Sequence, residues 1–408
     1  MNKNSCDIII IGAGPSGCIA AREIKKYNKK ISVLILEEHS NIGEPMQCAG
    51  LISIDGFKKL GINPPKECIL NIIYGARFYS PSNKSFSIKV DKPMAYVIDR
   101  RIFDKYLAEQ AIKSGVKLKL GHKVSKIIVP HENEYVKIHG TKNNEKFEIS
   151  SKIVLDAEGI KGNILRQCGF QPPSKIIPAI QIEMENIKIN DKEIVELYFG
   201  RNISPGFFAY LIPTSKNSAR IEAASNNGNP YNYLVKFLKT HRGINERIKN
   251  ANIVEVIGGG IITSGPVKKT HSNNMMLIGD SAGHVKATTG GGVIMGGLCS
   301  KIAAKIAAQS ILQDNFSSKM MHQYEKLWRK KYGNEFFTMN MVRTLIDSIP
   351  DPIIDELFDT IDKYKITKII ESYGDMDFQS EVIKRVIFSK KMPLLLVSLI
   401  FGLFKHIF

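Results

Sequence analysis

The sequence predicts an α/β protein with a Rossmann-type dinucleotide-binding domain, an inserted antiparallel β-sheet domain for the substrate, and a helical C-terminal region with an apolar end. Three observations carry this prediction. Residues 7–17, DIIIIGAGPSG, join a hydrophobic run to closely spaced glycines. Residues 174–264 contain short alternating runs that are typical of antiparallel strands. Residues 317–390 show mostly helical periodicity.

The first strand and helix form a phosphate-binding pattern. Four consecutive isoleucines, Ile8–Ile11, are typical of a strand that is buried on both faces. Gly12, Gly14 and Gly17 follow at the G-x-G-x-x-G spacing, before a predicted helix at 18–26. These glycines permit, in order, a tight turn, close approach of the backbone to a pyrophosphate, and close packing of the helix on the strand. The helix start offers N–H groups to phosphate.

The second predicted strand, at 31–36, ends at Glu37. An acid at this place, about 20 residues after the glycines, binds the ribose hydroxyls of adenosine. A glycine-rich turn in another α/β protein would not require this acid. The order of strand, glycines, helix, strand and acid therefore predicts dinucleotide binding.

The remaining patterns divide the chain into discontinuous domains. Short β-like runs in 72–98 precede an amphipathic helix at 100–114, and a triple glycine at 290–292 opens a small-residue helix at 293–312. The predicted boundaries are 1–71, 98–173 and 265–330 for the dinucleotide-binding domain, 72–97 and 174–264 for the substrate domain, and 331–408 for the helical C-terminal region.

Composition narrows the class of partner. The hydrophobic content of 43% and the charged content of 24% are ordinary for a folded protein, whereas the net charge of +18 predicts attraction to polyanions. The lysines are dispersed and no nucleic-acid motif is visible, so no nucleic-acid partner is expected. A lysine-rich composition without function is an open alternative.

Six cysteines lie at 6, 18, 48, 68, 168 and 299 without a C-x-x-C pair, so neither a metal site nor a disulfide framework is predicted. No signal peptide fits before the first strand, and a reducing cytosol is expected. Cys48 lies in a loop after Glu37 that should border the cofactor. A small buried hydrophobe is the alternative role for Cys48.

The C-terminal end, residues 392–408, is strongly apolar but shorter than the roughly 20 residues that a membrane span needs. Lys390 and Lys391 precede it, and Lys405 lies within it. This pattern fits an interfacial anchor, with apolar residues at the headgroup boundary and lysines near phosphates. A helix buried in a globular core is the alternative.

Several motifs occur in one order: GAGPSG with Glu37, DRRIFDKYLAEQA, DAEG and GDSAGHVKATTGGGV. This order resembles FAD-dependent oxidoreductases of the aromatic-hydroxylase fold. PMQCAGLIS, KATTGGGV and GFFAYLIP make the chain similar to the geranylgeranyl reductase family, and within it to the archaeal digeranylgeranylglycerophospholipid reductases. The resemblance covers roughly residues 5–330.

The resemblance implies an FAD site and a role for each matching residue. The pyrophosphate would lie on Gly12, Gly14 and Gly17, the adenosine ribose on Glu37, the adenine beside Val124, the phosphate and ribitol region near Arg100 and Asp280, and the flavin ring against Cys48, Ala49, Gly291, Gly292 and Val293. A helix that starts at Gly291 or Gly292 would aim N–H donors at the flavin N1–C2=O edge.

GFFAYLIP is similar to the family's Y-x-W-x-F-P lipid-pocket motif. Phe208, Tyr210 and Ile212 occupy the aromatic positions and Pro213 is kept, which implies that these four residues bind substrate. The departure from Tyr-Trp-Phe puts the shape of the pocket in doubt.

The implied function is saturation of C=C bonds in geranylgeranyl chains of archaeal membrane diether phospholipids. An isolated alkene has no carbonyl to polarise, so catalysis would depend on holding it against the flavin in a dry pocket. Cys48 is either a proton relay or a packing contact. The head group stays open among diether phospholipid, geranylgeranyl diphosphate and quinone.

Partners and alternatives follow from the same resemblance. A second dinucleotide fingerprint, which would favour NAD(P)H as the electron donor, is not visible in the sequence. The expected donor therefore stays open between a ferredoxin and NAD(P)H. The protein is expected in the cytoplasm, peripherally bound at the inner face of the membrane. A flavin-dependent hydroxylase and a non-catalytic lipid-binding flavoprotein are the alternative functions.

Overall fold

The computed structural model describes residues 5–130 and 134–387, which form three sheets and a set of packed helices. The strands are β1 Ser5–Ile11, β2 Val33–Leu36, β3 Leu51–Ser53, β4 Ile69–Ile73, β5 Gly75–Tyr79, β6 Ser85–Lys89, β7 Ala95–Ile98, β8 Lys117–Lys119, β9 Lys123–Ile128, β10 Val136–Lys142, β11 Glu145–Asp156, β12 Ile176–Glu185, β13 Ile194–Tyr198, β14 Ala209–Pro213, β15 Ser218–Ala224, β16 Asn252–Ile262, β17 His271–Ser272 and β18 Met275–Leu277. The helices are α1 Pro15–Tyr27, α2 Ile54–Leu60, α3 Arg100–Lys113, α4 Asn163–Gln167, α5 Pro230–Thr240, α6 Arg242–Asn245, α7 Val293–Leu312, α8 Ser318–Ser348, α9 Asp351–Lys363, α10 Thr367–Tyr373 and α11 Ser380–Ile387.

The first sheet has the strand order β17-β18-β11-β1-β2-β8. β1 lies parallel to β2 and β11, and β11 lies parallel to β18, so their carboxyl ends meet at one edge. Ile8–Ile11 are buried, because α1, α3 and α7 cover one face and the β9–β11 meander with α4 covers the other. The predicted Rossmann-type α/β class is confirmed.

One predicted strand is longer than expected. Residues 153–155 are the buried end of the 12-residue strand β11, whose first half pairs with β10 in an antiparallel ladder. Residues 145–152 mix exposed, half-buried and buried positions, whereas residues 153–156 are all buried. The change of pattern therefore marks a change of neighbours within one strand.

The second sheet has the order β16-β12-β15-β14-β13-β5-β6 and is antiparallel apart from the parallel pair β13–β5. The β-like runs predicted in 72–98 divide between two sheets. β5 and β6 extend the seven-stranded sheet, whereas β7 pairs with both β3 and β4 in a separate three-stranded sheet. The outer face of the large sheet packs on α5, and its inner face turns toward β3, β7 and the first domain.

The described chain is helical from α7 onward. α7 packs on α1, and α8 adds the buried side chains Tyr324 and Trp328 to the same core. The predicted boundary at 330/331 falls inside α8. The apolar end at 392–408 lies outside the described residues. In 5–130 and 134–387, no helix has the length and hydropathy needed to span a membrane.

Candidate functional site

A long cleft opens where the carboxyl ends of β1, β2, β11 and β18 meet. It consists of two adjoining cavities of about 370 and 250 Å³. Both cavities are lined by Gly14, Gln47, Cys48, Arg100, Ala157, Gly159 and Asp280. Because they share this border, the cleft can hold one extended ligand, with its two halves in the two cavities.

The β1–α1 turn forms one wall of the cleft and depends on two glycines. Gly12 has a φ of +97°, and a Cβ there would lie 2.3 Å from the Ala157 carbonyl oxygen. A Cβ on Gly17 would lie 2.1 Å from the Gly12 carbonyl oxygen. Gly14, in contrast, has open space before it, and no side chain caps the N–H groups at the start of α1. The turn therefore presents free N–H donors to an anion.

Glu37 lies at the far end of the first cavity, where backbone bonds fix its carboxylate. Its Oε2 accepts a hydrogen bond from the Ala13 N–H at 2.8 Å, and its Oε1 accepts one from the His39 N–H at 3.0 Å. His39 Nδ1 lies 2.6 Å from the same Oε1. Val124 lines the same cavity. The structure thus brings the predicted ribose acid and the predicted adenine contact together.

Arg100 lies at the border of the two cavities, at the start of α3. It forms a two-bond ion pair with Asp104, with both N–O distances at 2.8 Å. Burial lowers the pKa of Arg100, but Asp104 and Cys48 raise it by more, so the guanidinium stays charged. Asp280 opens onto the cleft although protein surrounds it, and this burial raises its pKa against the lowering effect of Arg100. Arg100 and Asp280 can therefore offer a cation and an acceptor to one ligand.

The triple-glycine turn and the start of α7 line the second cavity. α7 begins at Val293 with Gly292 at its N-cap, and no side chain caps it. Lys286 underlies the turn, because a Cβ on Gly291 would lie 2.7 Å from its Cε. The start of α7 therefore places a partial positive charge at one edge of the cavity.

Residues 375–379, named here the strap, close this side of the cleft. Asp377 pairs with Lys286 at 2.8 Å, is 1% exposed by side chain, and accepts a hydrogen bond from Ser53. Asp375 pairs with Lys59 at 2.8 Å. Sequence reasoning missed the strap, because nothing in DMDFQ distinguishes its aspartates from surface acids.

The loop that carries Cys48 is held in place by a side chain of the seven-stranded sheet. Cys48 and Arg100 line both cavities, and the Cys48 Sγ accepts a hydrogen bond from the Gly50 N–H at 3.4 Å. Arg220 of β15 is fully buried and donates to the carbonyl oxygens of Ala49 and Ile98 at 2.9 and 3.0 Å. Sequence reasoning also missed Arg220, although a charged residue on the inward face of a strand was a usable signal.

The predicted substrate residues do not line either cavity. Phe208, Tyr210 and Ile212 are buried on the inner face of the large sheet, in an apolar cluster that also contacts Ala49. Pro213 ends β14, and its carbonyl oxygen accepts a hydrogen bond from Asn71 at 2.9 Å. These four residues thus form an apolar wall behind the Cys48 loop, next to the cleft rather than inside it.

Comparisons with known proteins match this chain over most of its length. The family model described as lycopene cyclase protein matches residues 7–372. A digeranylgeranylglycerophospholipid reductase of Methanocaldococcus jannaschii is 30% identical over 95% of this chain and 96% of the relative. An uncharacterised protein of the same organism is 34% identical over 95% of this chain and 96% of the relative. The crystal structure of a geranylgeranyl bacteriochlorophyll reductase-like protein from Thermoplasma acidophilum superposes with a TM-score of 0.84 at 25% identity, covering 98% and 99% of the two chains.

Proposed function

This chain belongs to the flavoprotein family that the lycopene cyclase model describes and that includes the digeranylgeranylglycerophospholipid reductases, and on that premise we propose that it reduces C=C bonds in geranylgeranyl chains. It is an FAD-dependent oxidoreductase, as the sequence motifs implied. The observation that carries the proposal is the continuous cleft, with an anion site at its centre, a fixed acid at one end and an apolar wall beside the other.

The residues of the cleft fit FAD. The uncapped start of α1 suits the pyrophosphate, and Glu37 suits the hydroxyls of the adenosine ribose. Arg100 and Asp280 suit the phosphate and ribitol region between the cavities. The start of α7 would stabilise negative charge at the N1–C2=O edge of the ring. FAD supplies a hydride when it is bound and reduced.

The protein must hold an unactivated alkene close to the ring and exclude water. An isolated double bond carries no oxygen that an acid could polarise, so the gain in rate comes from position and from a dry surrounding. Phe208, Ile212 and Ala49 give the wall beside Cys48 its apolar character. Arg220 keeps the Cys48 loop at a fixed distance from that wall.

The substrate class follows from the names of the relatives and from the apolar wall. We assign geranylgeranyl chains of archaeal diether phospholipids, with a ferredoxin or NAD(P)H as the source of electrons. The net charge of +18 and the apolar end at 392–408 support peripheral attachment to an anionic membrane surface.

The test uses the purified full chain, which should be yellow and should release FAD on denaturation. After anaerobic reduction with dithionite, it is mixed with digeranylgeranylglycerophospholipid in detergent, and lipid masses are measured. Each reduced bond adds two hydrogen atoms while the flavin reoxidises. Oxygen in the product of a parallel reaction in air would identify a hydroxylase, and an unchanged lipid mass in both reactions would identify a lipid-binding protein. Geranylgeranyl diphosphate and a prenylated quinone, assayed in parallel, decide the head group.

A further inference from the structure

Helix α8 is apolar on two faces, and in the described part of the chain one of them is packed. The inner face places Tyr332, Phe336 and other buried side chains in the core of the first domain. The outer face carries Phe337, Met341 and Leu345, named here the α8 stripe, which are 69%, 47% and 56% exposed. Residues four apart are neighbours on one face of an α-helix, so the three side chains form a continuous strip. A contiguous exposed apolar group indicates a surface that another molecule covers.

Two lysines continue the outer face of α8 toward the start of the helix. Lys330 and Lys326 precede Phe337 by seven and eleven residues, which are two and three turns at 3.6 residues per turn. Both lysines are exposed. The ion pairs found within 5–130 and 134–387 include neither of them. The outer face of α8 therefore places cationic groups next to the apolar strip.

The acids of α8 do not cancel this charge, because the helix has six basic and three acidic residues and each acid has a partner. The pairs are Glu325 with Arg329, Glu335 with Ser380, and Asp347 with Arg343. The exposed surface around Lys326 and Lys330 thus keeps a positive charge, which complements an anionic surface.

The α8 stripe lies beside the strap that closes one side of the second cavity. Glu335, at the start of the stripe, accepts a hydrogen bond from the Ser380 N–H at 2.9 Å, and Ser380 directly follows the strap. The rings of Tyr332 on α8 and Phe378 in the strap lie 6.0 Å apart. From Ser380 the chain continues through α11 toward the apolar end at 392–408. The stripe, the strap and the start of α11 therefore occupy one side of the molecule.

A lipid surface fits this side better than a second protein chain does. A stable protein interface takes roughly 20–30 residues from each partner, whereas the α8 stripe offers three apolar side chains with lysines next to them. A lipid bilayer accepts a few apolar side chains at its headgroup boundary, while cationic groups meet its phosphates. A short apolar strip beside lysines without an ion pair therefore favours an anionic bilayer.

We propose that the α8 stripe docks this protein on an anionic lipid bilayer, with its apolar side chains at the headgroup boundary and Lys326 and Lys330 beside lipid phosphates. The proposal rests on the proposed function, in which the substrate is a lipid of such a bilayer. It assigns lipid contact to a surface of the packed core as well as to the apolar end of the chain. Docking through this surface keeps the strap, and with it the second cavity, on the side that faces the lipid.

The first test replaces all three residues of the α8 stripe by serine in the full chain (Phe337→Ser, Met341→Ser and Leu345→Ser). Burial of one such side chain is worth more than a factor of ten, so the partition coefficient on phosphatidylglycerol vesicles should fall by at least about 10-fold. Vesicle titration followed by sedimentation measures it.

The matched control replaces three apolar residues of similar exposure on the edge strand β16 (Ile253→Ser, Val254→Ser and Val256→Ser), which are 56%, 58% and 52% exposed. This variant should bind vesicles as the wild type does. Equal losses in the two triple variants would show that apolar exposure in general, and not the α8 stripe, drives binding.

The second test changes charge at constant net charge. Lys326→Gln with Lys330→Gln should lower the partition coefficient by about 10-fold, because each lysine near an anionic surface contributes about 5-fold. Lys236→Gln with Lys239→Gln removes two exposed lysines from α5, on the outer face of the large sheet, and should have a much smaller effect. Equal effects of the two pairs would mean that only net charge matters, and would overturn the docking surface.

The third test asks whether the stripe enters the lipid. The natural chain has one tryptophan, Trp328, which is 1% exposed, so Phe337→Trp adds an indole that reports on the surface. Its emission should shift to the blue on binding and be quenched by lipids brominated near the top of their acyl chains. An added indole that stays unquenched in the bound protein overturns the proposal. Emission already shifted to the blue in buffer also overturns it, because residues 392–408 or a second copy would then cover the stripe.

The docking surface and the proposed function fail in different ways. All variants should keep FAD and reduce digeranylgeranylglycerophospholipid in detergent as the wild type does, since none of them changes the cleft. Wild-type vesicle binding by the triple-serine stripe variant overturns docking alone. A wild type that reduces no isoprenoid substrate, yet needs the stripe for vesicle binding, overturns the proposed function alone. If the stripe variant loses FAD or helix content, the lysine variants and the added indole still decide.

Discussion

At the scale of single residues, the cleft depends on buried charges that each have an opposite partner. Arg100 is held by Asp104, and Arg220 by Glu183. A buried charge without a partner is costly, so each pair fixes its arginine. Arg100 faces the cleft, whereas Arg220 holds the Cys48 loop. Glu37 is fixed differently, by backbone N–H donors.

Glu37→Ala should weaken FAD binding through its adenosine half. A hydrogen bond to a charged group contributes about 1.5–3 kcal/mol, so we expect Kd to rise by roughly 10- to 100-fold. Fluorescence titration of the apoprotein with FAD measures this change. Glu109→Ala, an exposed acid on α3, should leave Kd as it is. Equal affinities in the two variants would remove Glu37 from the site.

Glu325 makes stability depend on acid pH. Partial burial alone would raise its pKa, but His271, Thr270 and Arg329 lower the pKa to about 2. A carboxylate with a lowered pKa stabilises the fold at pH values above its ordinary pKa of 4.5. This contribution is lost as the pH falls toward the folded-state pKa of about 2. Glu325→Gln should therefore lower Tm at pH 7 and have a smaller effect near pH 3. An equal loss of Tm at both values would contradict this.

At the scale of elements, the strap connects the C-terminal helices to the second cavity of the cleft. Asp377 reaches Lys286, which lies 91 residues away in sequence, and Gln379 bonds to Thr288 at 2.8 Å. Phe378 lies under the Lys59 ammonium group, 4.1 Å from the ring centre. The strap thus contacts both α2 and the residues just before the triple-glycine turn.

Asp377→Asn should destabilise the protein by about 3 kcal/mol, because Lys286 would stay buried without an opposite charge. Urea unfolding monitored by circular dichroism gives this value. Asp375→Asn breaks a partly exposed pair of the same strap and should cost less than about 1 kcal/mol. If the two variants were equally stable, the buried pair would contribute no more than the surface pair.

At the scale of the whole molecule, positive charge and an apolar end act in the same direction. The net charge of +18 attracts anionic surfaces, and each lysine near such a surface adds about 1 kcal/mol. The apolar residues at 392–408 would enter the headgroup boundary.

Deletion of residues 392–408 should leave FAD binding intact but lower binding to anionic vesicles. Sedimentation with phosphatidylglycerol vesicles measures the bound fraction, and phosphatidylcholine vesicles serve as the neutral control. Salt should weaken binding of the full chain, because the charges are screened. A truncated protein that unfolds or loses flavin would mean that the segment belongs to the core.

The sequence could predict what depends on neighbours along the chain. The glycine spacing and Glu37 belong to one βαβ unit, so their geometry follows from local rules. The bond of Arg220 to the Cys48 loop and the Lys286–Asp377 pair could not be predicted, because residues far apart meet through sheet register and helix packing. Alternation in β15 shows that Glu222 and Arg220 share a face, but not what lies opposite.

With residues 392–408 in a lipid surface, as proposed, the strap would limit how far the cleft can stand from that surface. α11 follows the strap directly and has 8 residues, which span about 12 Å at 1.5 Å per residue. The apolar end begins five residues after α11. If that end lies in the headgroup boundary, this short tether keeps the cofactor within a few nanometres of the bilayer. A lipid then needs to lift only its chain end, and tether length would decide which double bonds along the chain are reached. Lengthening the tether should therefore change the distribution of partly reduced products while the rate on detergent-dissolved lipid stays the same.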